Sequence, residues 1–141
     1  MAGIDIRLKR LFRNRKHLVI SAIDHVVEYG DQPGLEDAAK AIEACKGTDA
    51  LLLSRYSLSR NSALFGHNEA PLPVVRINWS SAFYYPLSYR EGHTEIAVTV
   101  EDAVQAGAEV VICSLFLEEG NEALEARNVA TFSEVVRQKE R

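Results

Sequence analysis

The alternation of short apolar runs with longer amphipathic segments restricts the fold of this chain more than any other feature. Residues 18–23, 50–54, 73–78 and 109–115 are short runs of leucine and β-branched side chains, which are typical of buried strands. They start about 30 residues apart, the length of a strand followed by a crossover helix. This order predicts an α/β fold with parallel strands and right-handed crossovers.

The segments after the first and second predicted strands have sequence patterns that are typical of helices. Residues 31–34 form a turn signal and Gly47 ends the segment that follows it. Within that segment, apolar side chains stand at helical spacing: Leu35, Ala38, Ala39 and Ile42. After the second strand, a shorter and less regular helix is predicted around residues 58–65.

Two more helices are predicted in the second half of the chain. Thr99 to Asp102 has the pattern of a capping box, which opens a helix that buries Val100, Ala103 and Val104. The last helix begins near residues 120–121 and places four apolar side chains on one side: Leu124, Val129, Phe132 and Val136. Residues 79–98 form a long loop that is either functional or contains a missed element, and it carries Phe83, Tyr84, Tyr85 and Tyr89.

Two architectures fit this pattern. One is a segment of a (βα)8 barrel and the alternative is an open, flavodoxin-like parallel sheet. A complete barrel needs roughly 200 residues or more, whereas this chain has 141. We predict a single domain over residues 1–141, built as a (βα)4 half of a TIM barrel with an amino-terminal helix.

The charge is concentrated at the amino terminus, although the formal charge of the whole chain is −4. Against Asp5 alone, the first 16 residues carry Arg7, Lys9, Arg10, Arg13, Arg15 and Lys16. A basic arm can bind phosphates, but the apolar stripe beside it is typical of an amphipathic helix. No zinc-finger or recognition-helix pattern accompanies it, so nucleic acid is not a predicted partner.

Neither a membrane span nor a disulfide is predicted. No apolar run approaches the roughly 20 residues that a spanning helix needs. Cys45 and Cys113 stand in no CxxC pattern, which favours a reduced, cytoplasmic chain with two buried thiols.

The histidines have no HxH or HExxH spacing, and neither GxGxxG nor a Walker loop is present. We therefore predict no metal and no cofactor.

Polar side chains follow every predicted strand, at the edge where parallel sheets bind ligands. They are Asp24 and His25, then Ser54 and Arg55, then Arg76, Asn78, Ser80 and Ser81, then Ser114 with Glu118 and Glu119 beyond it. Strand ends are often polar simply because they meet solvent. We assign substrate binding to Arg55, Arg76, Asn78 and Ser80.

Asp24 is the residue whose place in the sequence points most directly to catalysis. An aspartate directly after a buried strand can act as a general acid or base. It can equally cap the following loop or pair with Arg55, and the residues alone leave these alternatives open.

Four segments of the chain carry a family resemblance. Residues 7–12 form a basic leader, and residues 16–25 form a strand that ends in Asp-His. Residues 48–55 read TDALLLSR, residues 72–78 read LPVVRIN, and residues 99–111 read TVEDAVQAGAEVV. In this order they resemble the class I aldolases of the archaeal-type fructose-bisphosphate and deoxyribose-phosphate aldolase superfamily. The resemblance covers nearly the whole chain.

The resemblance implies a (βα)8 barrel with Schiff-base chemistry on a sugar phosphate or similar carbonyl substrate. In that chemistry a lysine attacks the carbonyl, and the protonated imine draws electrons from the C–C bond that breaks. Asp24 matches the family aspartate that assists proton transfer or holds a substrate hydroxyl. His25 matches the histidine beside it, and both are assigned as catalytic residues.

The chain differs from the family pattern at the lysine that forms the Schiff base and at residues around the mouth of the barrel. The family lysine ends the sixth strand, whereas no predicted strand ends in any lysine of this chain: Lys9, Lys16, Lys40, Lys46 and Lys139. Val26 and Trp79 stand where the family has glycine and would narrow a substrate channel. Leu117-Glu118 stands where the family usually has Gly-Ser.

We therefore predict an aldolase-family lyase whose Schiff-base lysine is not in this chain. The alternative is a non-catalytic half-barrel that serves binding or assembly. Open sheet edges invite pairing with another chain, so a homo-oligomer or a complementing second half is the predicted partner.

Overall fold

The computed structural model describes residues 2–12, 16–81, 92–115 and 120–139. The strands are β1 (Ile20–Ala22), β2 (Ala50–Leu53), β3 (Leu72–Arg76), β4 (Asn78–Ser80), β5 (Thr94–Ile96) and β6 (Val110–Ile112). The helices are α1 (Ala2–Phe12), α2 (Val26–Tyr29), α3 (Ala38–Ala44), α4 (Arg55–Arg60), α5 (Val100–Gln105) and α6 (Glu122–Lys139). A 3₁₀ turn at Ser62–Phe65 follows α4.

Four strands form one parallel sheet in the order β1-β2-β3-β6. Ala22 lies beside Leu52, Leu52 beside Val74, and Val74 beside Val110. The predicted α/β fold with a parallel sheet is confirmed. The strands of this sheet follow chain order, whereas a flavodoxin-like sheet has a point where the strand order reverses.

The two faces of the sheet have different coverings, because successive side chains of a strand point to opposite sides. The odd-numbered face packs against α3, α4 and α5 in a core of Ile23, Ala41, Ile42, Leu51, Leu53, Leu58, Val75, Ile77 and Ala103. Val135 of α6 packs against the same core. Ala50, Leu52 and Val74 form a second buried cluster on the even-numbered face, where Leu11 of α1 contacts them. Helices α3 to α6 therefore cover the same face.

Side-chain caps fix where three of these helices begin. Asp37 accepts hydrogen bonds from the N–H groups of Ala39 and Lys40, and it starts α3. The Ser54 hydroxyl accepts one from Ser57 N–H, so that α4 begins at Arg55, directly after β2 and earlier than predicted. Thr99 and Asp102 form the predicted capping box of α5, which is confirmed.

The edges of the sheet are more exposed than predicted. Ile20 of β1 is 46% exposed, because β2 is the only strand among the described residues that pairs with β1. The three residues of β6 are only half-buried at the opposite edge. Val104 is also exposed, so its predicted burial is wrong. Val129 and Phe132, on the apolar side of the last helix, are exposed as well.

The long segment after β3 contains an element that the sequence pattern did not predict. β4 and β5 pair in an antiparallel ribbon in which Trp79 lies opposite Glu95. Ile77 joins the ribbon to the sheet, since its N–H donates to Ile112 O at 3.0 Å and its carbonyl accepts from Ala97 N–H at 2.9 Å. Phe83, Tyr84, Tyr85, Tyr89, Leu117, Glu118 and Glu119 lie outside the described residues.

The two cysteines, Cys45 and Cys113, are free and only partly buried, in contrast to the predicted burial. Among the described residues, no helix is both long enough and apolar enough to cross a membrane.

Candidate functional site

The alternation of side chains along each strand brings four polar residues to one edge of the sheet. Asp24, Ser54, Arg76 and Ser114 each stand two residues after an even-numbered strand residue, namely Ala22, Leu52, Val74 and Ile112. They therefore belong to the even-numbered face at the carboxyl ends of the strands or just beyond them, where α/β proteins bind ligands.

Arg76 is the centre of this cluster. Its Nε donates a hydrogen bond to the carboxylate of Asp24, and its Nη1 donates to the hydroxyl of Ser114. The side chains of Asp24 and Arg76 are 3% and 15% exposed. The ion pair of Asp24 is therefore formed with Arg76 and not with Arg55, because Arg55 leaves the sheet as the first residue of α4.

Glu28 is a buried carboxyl group beside this ion pair, and the sequence pattern did not indicate it. Its Oε1 lies 3.8 Å from Arg76 Nη1, and its side chain is 4% exposed. Burial raises the pKa of Glu28, and the negative charge of Asp24 acts in the same direction, while Arg76 and His25 oppose the shift. The spacing of four residues from Asp24 was the available signal, since a helix beginning after Asp24 brings such positions to one side.

A cavity of about 230 Å³ opens beside Arg76. Its polar lining consists of Asp24, Ser54, Arg55, Arg76 and Asn78, and its walls are completed by Val27, Tyr56, Trp79, Ala97 and Val98. Trp79 also donates a hydrogen bond from Nε1 to the carbonyl of Val27 at 3.0 Å, which holds α2 against β4. Of the two residues expected to narrow the channel, Trp79 lines this cavity, whereas Val27 lines it in place of Val26.

The remaining predicted site residues have different positions. Asn78 lines the cavity, but its amide binds the backbone of Ser114. Ser80 is buried in β4 and donates a hydrogen bond to His93 O at 3.1 Å. His25 is exposed, and its ring stacks on Tyr29 with the centroids 6.0 Å apart. The structure thus brings Asp24, Arg55, Arg76 and Asn78 to one cavity, while His25 and Ser80 are not among its lining residues.

No lysine of the described part of the chain lines this cavity. Lys40 and Lys46 pair with acidic neighbours near α3, and Lys9 lines a different cavity at the amino ends of β3 and β6. Within the described ranges, no group of three or more His, Cys, Asp or Glu residues could hold a metal ion.

Comparisons with known proteins confirm the resemblance to archaeal aldolases. The chain is homologous to an uncharacterized aldolase of Saccharolobus solfataricus, with 29% identity over 136 residues that cover 94% of this chain and 50% of the relative. No protein-family model matches the chain.

Two solved structures share the fold. One is an archaeal fructose-1,6-bisphosphate aldolase whose catalytic lysine is covalently bound to the carbinolamine intermediate of its substrate, with a TM-score of 0.68 and 22% identity. The other is a Schiff base forming fructose-1,6-bisphosphate aldolase, with a TM-score of 0.64 and 21% identity. Each match covers 96% of this chain and 51% of the solved structure, so this chain spans about half the length of the proteins it resembles.

Proposed function

We propose that this chain contributes a substrate pocket to an aldolase-family lyase, which makes or breaks a C–C bond in a sugar phosphate or similar carbonyl compound. The observation that carries the proposal is the buried pair of Asp24 and Arg76, which lines a small cavity that Arg55 also lines. Homology to an archaeal aldolase supports the same conclusion.

Asp24 binds a substrate hydroxyl or moves its proton in this proposal. Arg76 binds Oδ2 of the carboxylate, and no hydrogen bond among the described residues uses Oδ1. Oδ1 can therefore accept a hydroxyl proton from a ligand in the cavity. A carboxylate within hydrogen-bonding distance of a reacting hydroxyl is a suitable general base for C–C bond cleavage.

Arg55 and Arg76 supply the positive charge for a phosphate group. A guanidinium presents several N–H donors in one plane and matches the oxygen atoms of a phosphate. Arg55 is exposed and therefore accessible. The cavity of about 230 Å³ lies below the roughly 300–1,000 Å³ that is usual for drug-sized ligands, which favours a small substrate. Substrate contacts of His25, Asn78 and Ser80 stay predictions.

The amine of the Schiff base does not come from the described lining of this cavity. In the proposed reaction, a lysine attacks the carbonyl carbon and water leaves. The protonated imine then takes up the electron pair of the breaking C–C bond. The pocket of this chain binds and orients the substrate, and it handles the proton of the hydroxyl group.

Binding of dihydroxyacetone phosphate to the full chain tests this proposal. Isothermal titration calorimetry and amide NMR shifts should detect binding, with the shifts clustered around β1, β3 and the start of α4. Asp24→Asn and Arg76→Gln should each weaken binding by roughly tenfold or more, since each removes a charged hydrogen bond. Asp31→Asn and Arg137→Gln are matched exposed controls that should leave binding unchanged. Binding that Asp24→Asn and Arg76→Gln do not affect would refute the pocket.

A second candidate is a non-catalytic half-barrel that serves binding or assembly. An apolar groove between α5, β6 and α6, away from the polar cavity, favours it. Treatment with dihydroxyacetone phosphate and borohydride, followed by intact mass measurement, separates the two functions. A covalent adduct on a lysine of this chain excludes the non-catalytic candidate. If no adduct forms and dihydroxyacetone phosphate does not bind, the non-catalytic candidate is supported.

A further inference from the structure

We propose that Trp79 limits the length of the substrate that the cavity beside Arg76 accepts. The indole ring admits a short ketose monophosphate, of the size of dihydroxyacetone phosphate, and excludes a hexose bisphosphate. This inference deepens the proposed function and rests on it, because it takes the cavity to be the substrate pocket.

The antiparallel ribbon holds the backbone of Trp79. In the pairing of β4 with β5, Trp79 lies opposite Glu95, and its carbonyl accepts a hydrogen bond from the hydroxyl of Thr94 at 3.1 Å. Thr94 is buried, and so are Asn78 and Ser80 on either side of Trp79. A shift of β4 to make room for a longer ligand would break buried polar contacts, which are costly to leave unmade.

The short helix α2 holds the indole ring of Trp79. This helix has only four residues, which leaves its carbonyl groups without partners inside the helix. Trp79 Nε1 donates a hydrogen bond to one of them, Val27 O, at 3.0 Å. The N–H of Val27 donates to Asp24 O, also at 3.0 Å. The ring therefore connects β4 with the segment that carries Asp24, and moving it aside would break its bond to Val27.

The part of the cavity that contains the indole offers a ligand little beyond apolar contact. Trp79 is the largest side chain of the described lining, and Val27, Ala97 and Val98 line the cavity with it. Ala97 and Val98 are fixed as well, since their N–H groups donate to Ile77 O at 2.9 and 3.0 Å. A second phosphate group placed against these side chains would lose water and gain no hydrogen-bond partner from them, which is unfavourable.

The other aromatic ring of the described lining is a weaker boundary. Tyr56 is 67% exposed, and its ring lies on the surface of α4 with the guanidinium of Arg60 5.6 Å from the ring centre. Such a side chain can turn toward solvent when a ligand enters. The rigid boundary of the cavity is therefore Trp79, where bulk and the lack of polar partners both act against the longer ligand.

Binding of two phosphates of different length to the full chain tests the inference. Trp79 is the single tryptophan of the chain, so its fluorescence reports on a ligand beside it. Dihydroxyacetone phosphate should change this fluorescence. Its Kd, measured by calorimetry, should be roughly tenfold or more below that of fructose 1,6-bisphosphate, a ratio that exclusion by pocket size can produce.

Two variants enlarge the cavity from different elements. Trp79→Ala removes the ring, and Val27→Ala shortens an exposed side chain while keeping the carbonyl that accepts from Trp79. Each should lower the Kd of fructose 1,6-bisphosphate by roughly tenfold and change that of dihydroxyacetone phosphate much less. Phe12→Ala, on exposed Phe12 of α1, is the control and should leave the ratio of the two Kd values unchanged. Amide spectra establish that each variant is folded.

The outcomes distinguish failure of this inference from failure of the proposed function. If dihydroxyacetone phosphate binds through Asp24 and Arg76 but a folded Trp79→Ala protein keeps the wild-type ratio, only the inference is refuted. Should Trp79→Ala not fold, an unchanged ratio in Val27→Ala refutes it in the same way. If neither phosphate binds to the wild type or to any variant, the proposed function fails and this inference fails with it.

Discussion

The side-chain amide of Asn78 hydrogen-bonds to the backbone of Ser114 as a neighbouring strand would. Its Oδ1 accepts the Ser114 N–H at 2.8 Å, and its Nδ2 donates to the Ser114 carbonyl at 2.9 Å. These two bonds hold the end of the fourth parallel strand at the point where β3 leaves the sheet to become β4. Ser114 in turn accepts a hydrogen bond from Arg76, so Asn78 fixes one side of the candidate pocket.

Replacement of Asn78 by alanine should therefore affect both stability and binding. The change leaves the Ser114 N–H without its side-chain acceptor, and such a loss costs about 1–3 kcal/mol in a buried setting. Urea unfolding should show this loss, and the Kd for dihydroxyacetone phosphate should rise because Ser114 and Arg76 are less well held. Asn68→Ala, an exposed change, should alter neither quantity. Equal stabilities of the two variants would contradict this role of Asn78.

The capping box at the start of α5 gives a second prediction. Thr99→Ala removes the hydroxyl that accepts the Asp102 N–H, and loss of such a cap costs about 1 kcal/mol. Hydrogen bonds from Thr99 also lower the pKa of Asp102. Because the folded pKa is lowered, the stability that Asp102 contributes is present above its unfolded pKa and is lost as the pH falls through its folded value.

Urea unfolding between pH 2 and pH 6 measures this effect. The stability difference between the wild type and Thr99→Ala should shrink in acid, where the Asp102 carboxyl group is protonated in both proteins. Ser59→Ala, a change on the exposed side of α4, is the matched hydroxyl control. A difference that is independent of pH would show that Asp102 does not take part in the cap.

Alternation of strands and helices was sufficient to predict the parallel sheet, and short-range patterns were sufficient for the capping box. The antiparallel ribbon was missed because β4 and β5 have only three residues each and pair across residues 81–93. Of the predicted site residues at the strand ends, Asp24, Arg55, Arg76 and Asn78 line one cavity, and their roles in binding or catalysis stay predictions. The partner of Asp24 was not predictable, because it depends on where α4 begins.

The last helix shows why apolar periodicity can select the wrong face. Among the described side chains of this helix, Leu124, Asn128 and Thr131 are buried, while Val129 is 66% and Phe132 51% exposed. Since polar side chains occupy two positions of the buried face, the apolar pattern indicated the neighbouring face instead. Glu28 was overlooked for a related reason, since a glutamate on a short helix normally faces solvent.

The pH dependence of stability should reveal the buried Glu28 carboxyl group. Because the folded pKa of Glu28 is raised, the folded state binds its proton more tightly than the unfolded state does. Its contribution to stability is therefore fully present below its unfolded pKa and is lost as the pH rises through the folded value. Glu28→Gln removes this titration and should be more stable than the wild type at pH 7.

Urea unfolding from pH 4 to pH 8 checks this prediction. The advantage of Glu28→Gln should decrease toward pH 4, where the wild-type carboxyl group is protonated. Glu122→Gln, at the exposed start of α6, is the matched control and should show no comparable advantage at pH 7. A wild type that is more stable than Glu28→Gln at neutral pH would mean that the ionised carboxylate is stabilising.

The exposed apolar groove between α5, β6 and α6 predicts self-association. It has a volume of about 520 Å³, and apolar side chains such as Val104, Phe132 and Val136 line most of it. Adjacent to it lies β6, which pairs with β3 as the last strand in the sheet order. Apolar patches and strand edges that the described residues leave unpaired favour contact with another chain, and we expect a second copy of this chain to cover them.

Sedimentation velocity over a range of concentrations tests this expectation. The wild type should form dimers or larger species, and Phe132→Lys should shift it toward the monomer because a charge in an apolar interface is costly to bury. Tyr56→Lys changes another exposed aromatic side chain, which lies at the polar cavity, and should leave association unchanged. A wild type that sediments as a monomer at every concentration, or a Phe132→Lys variant that associates as the wild type does, would exclude this groove as the contact surface.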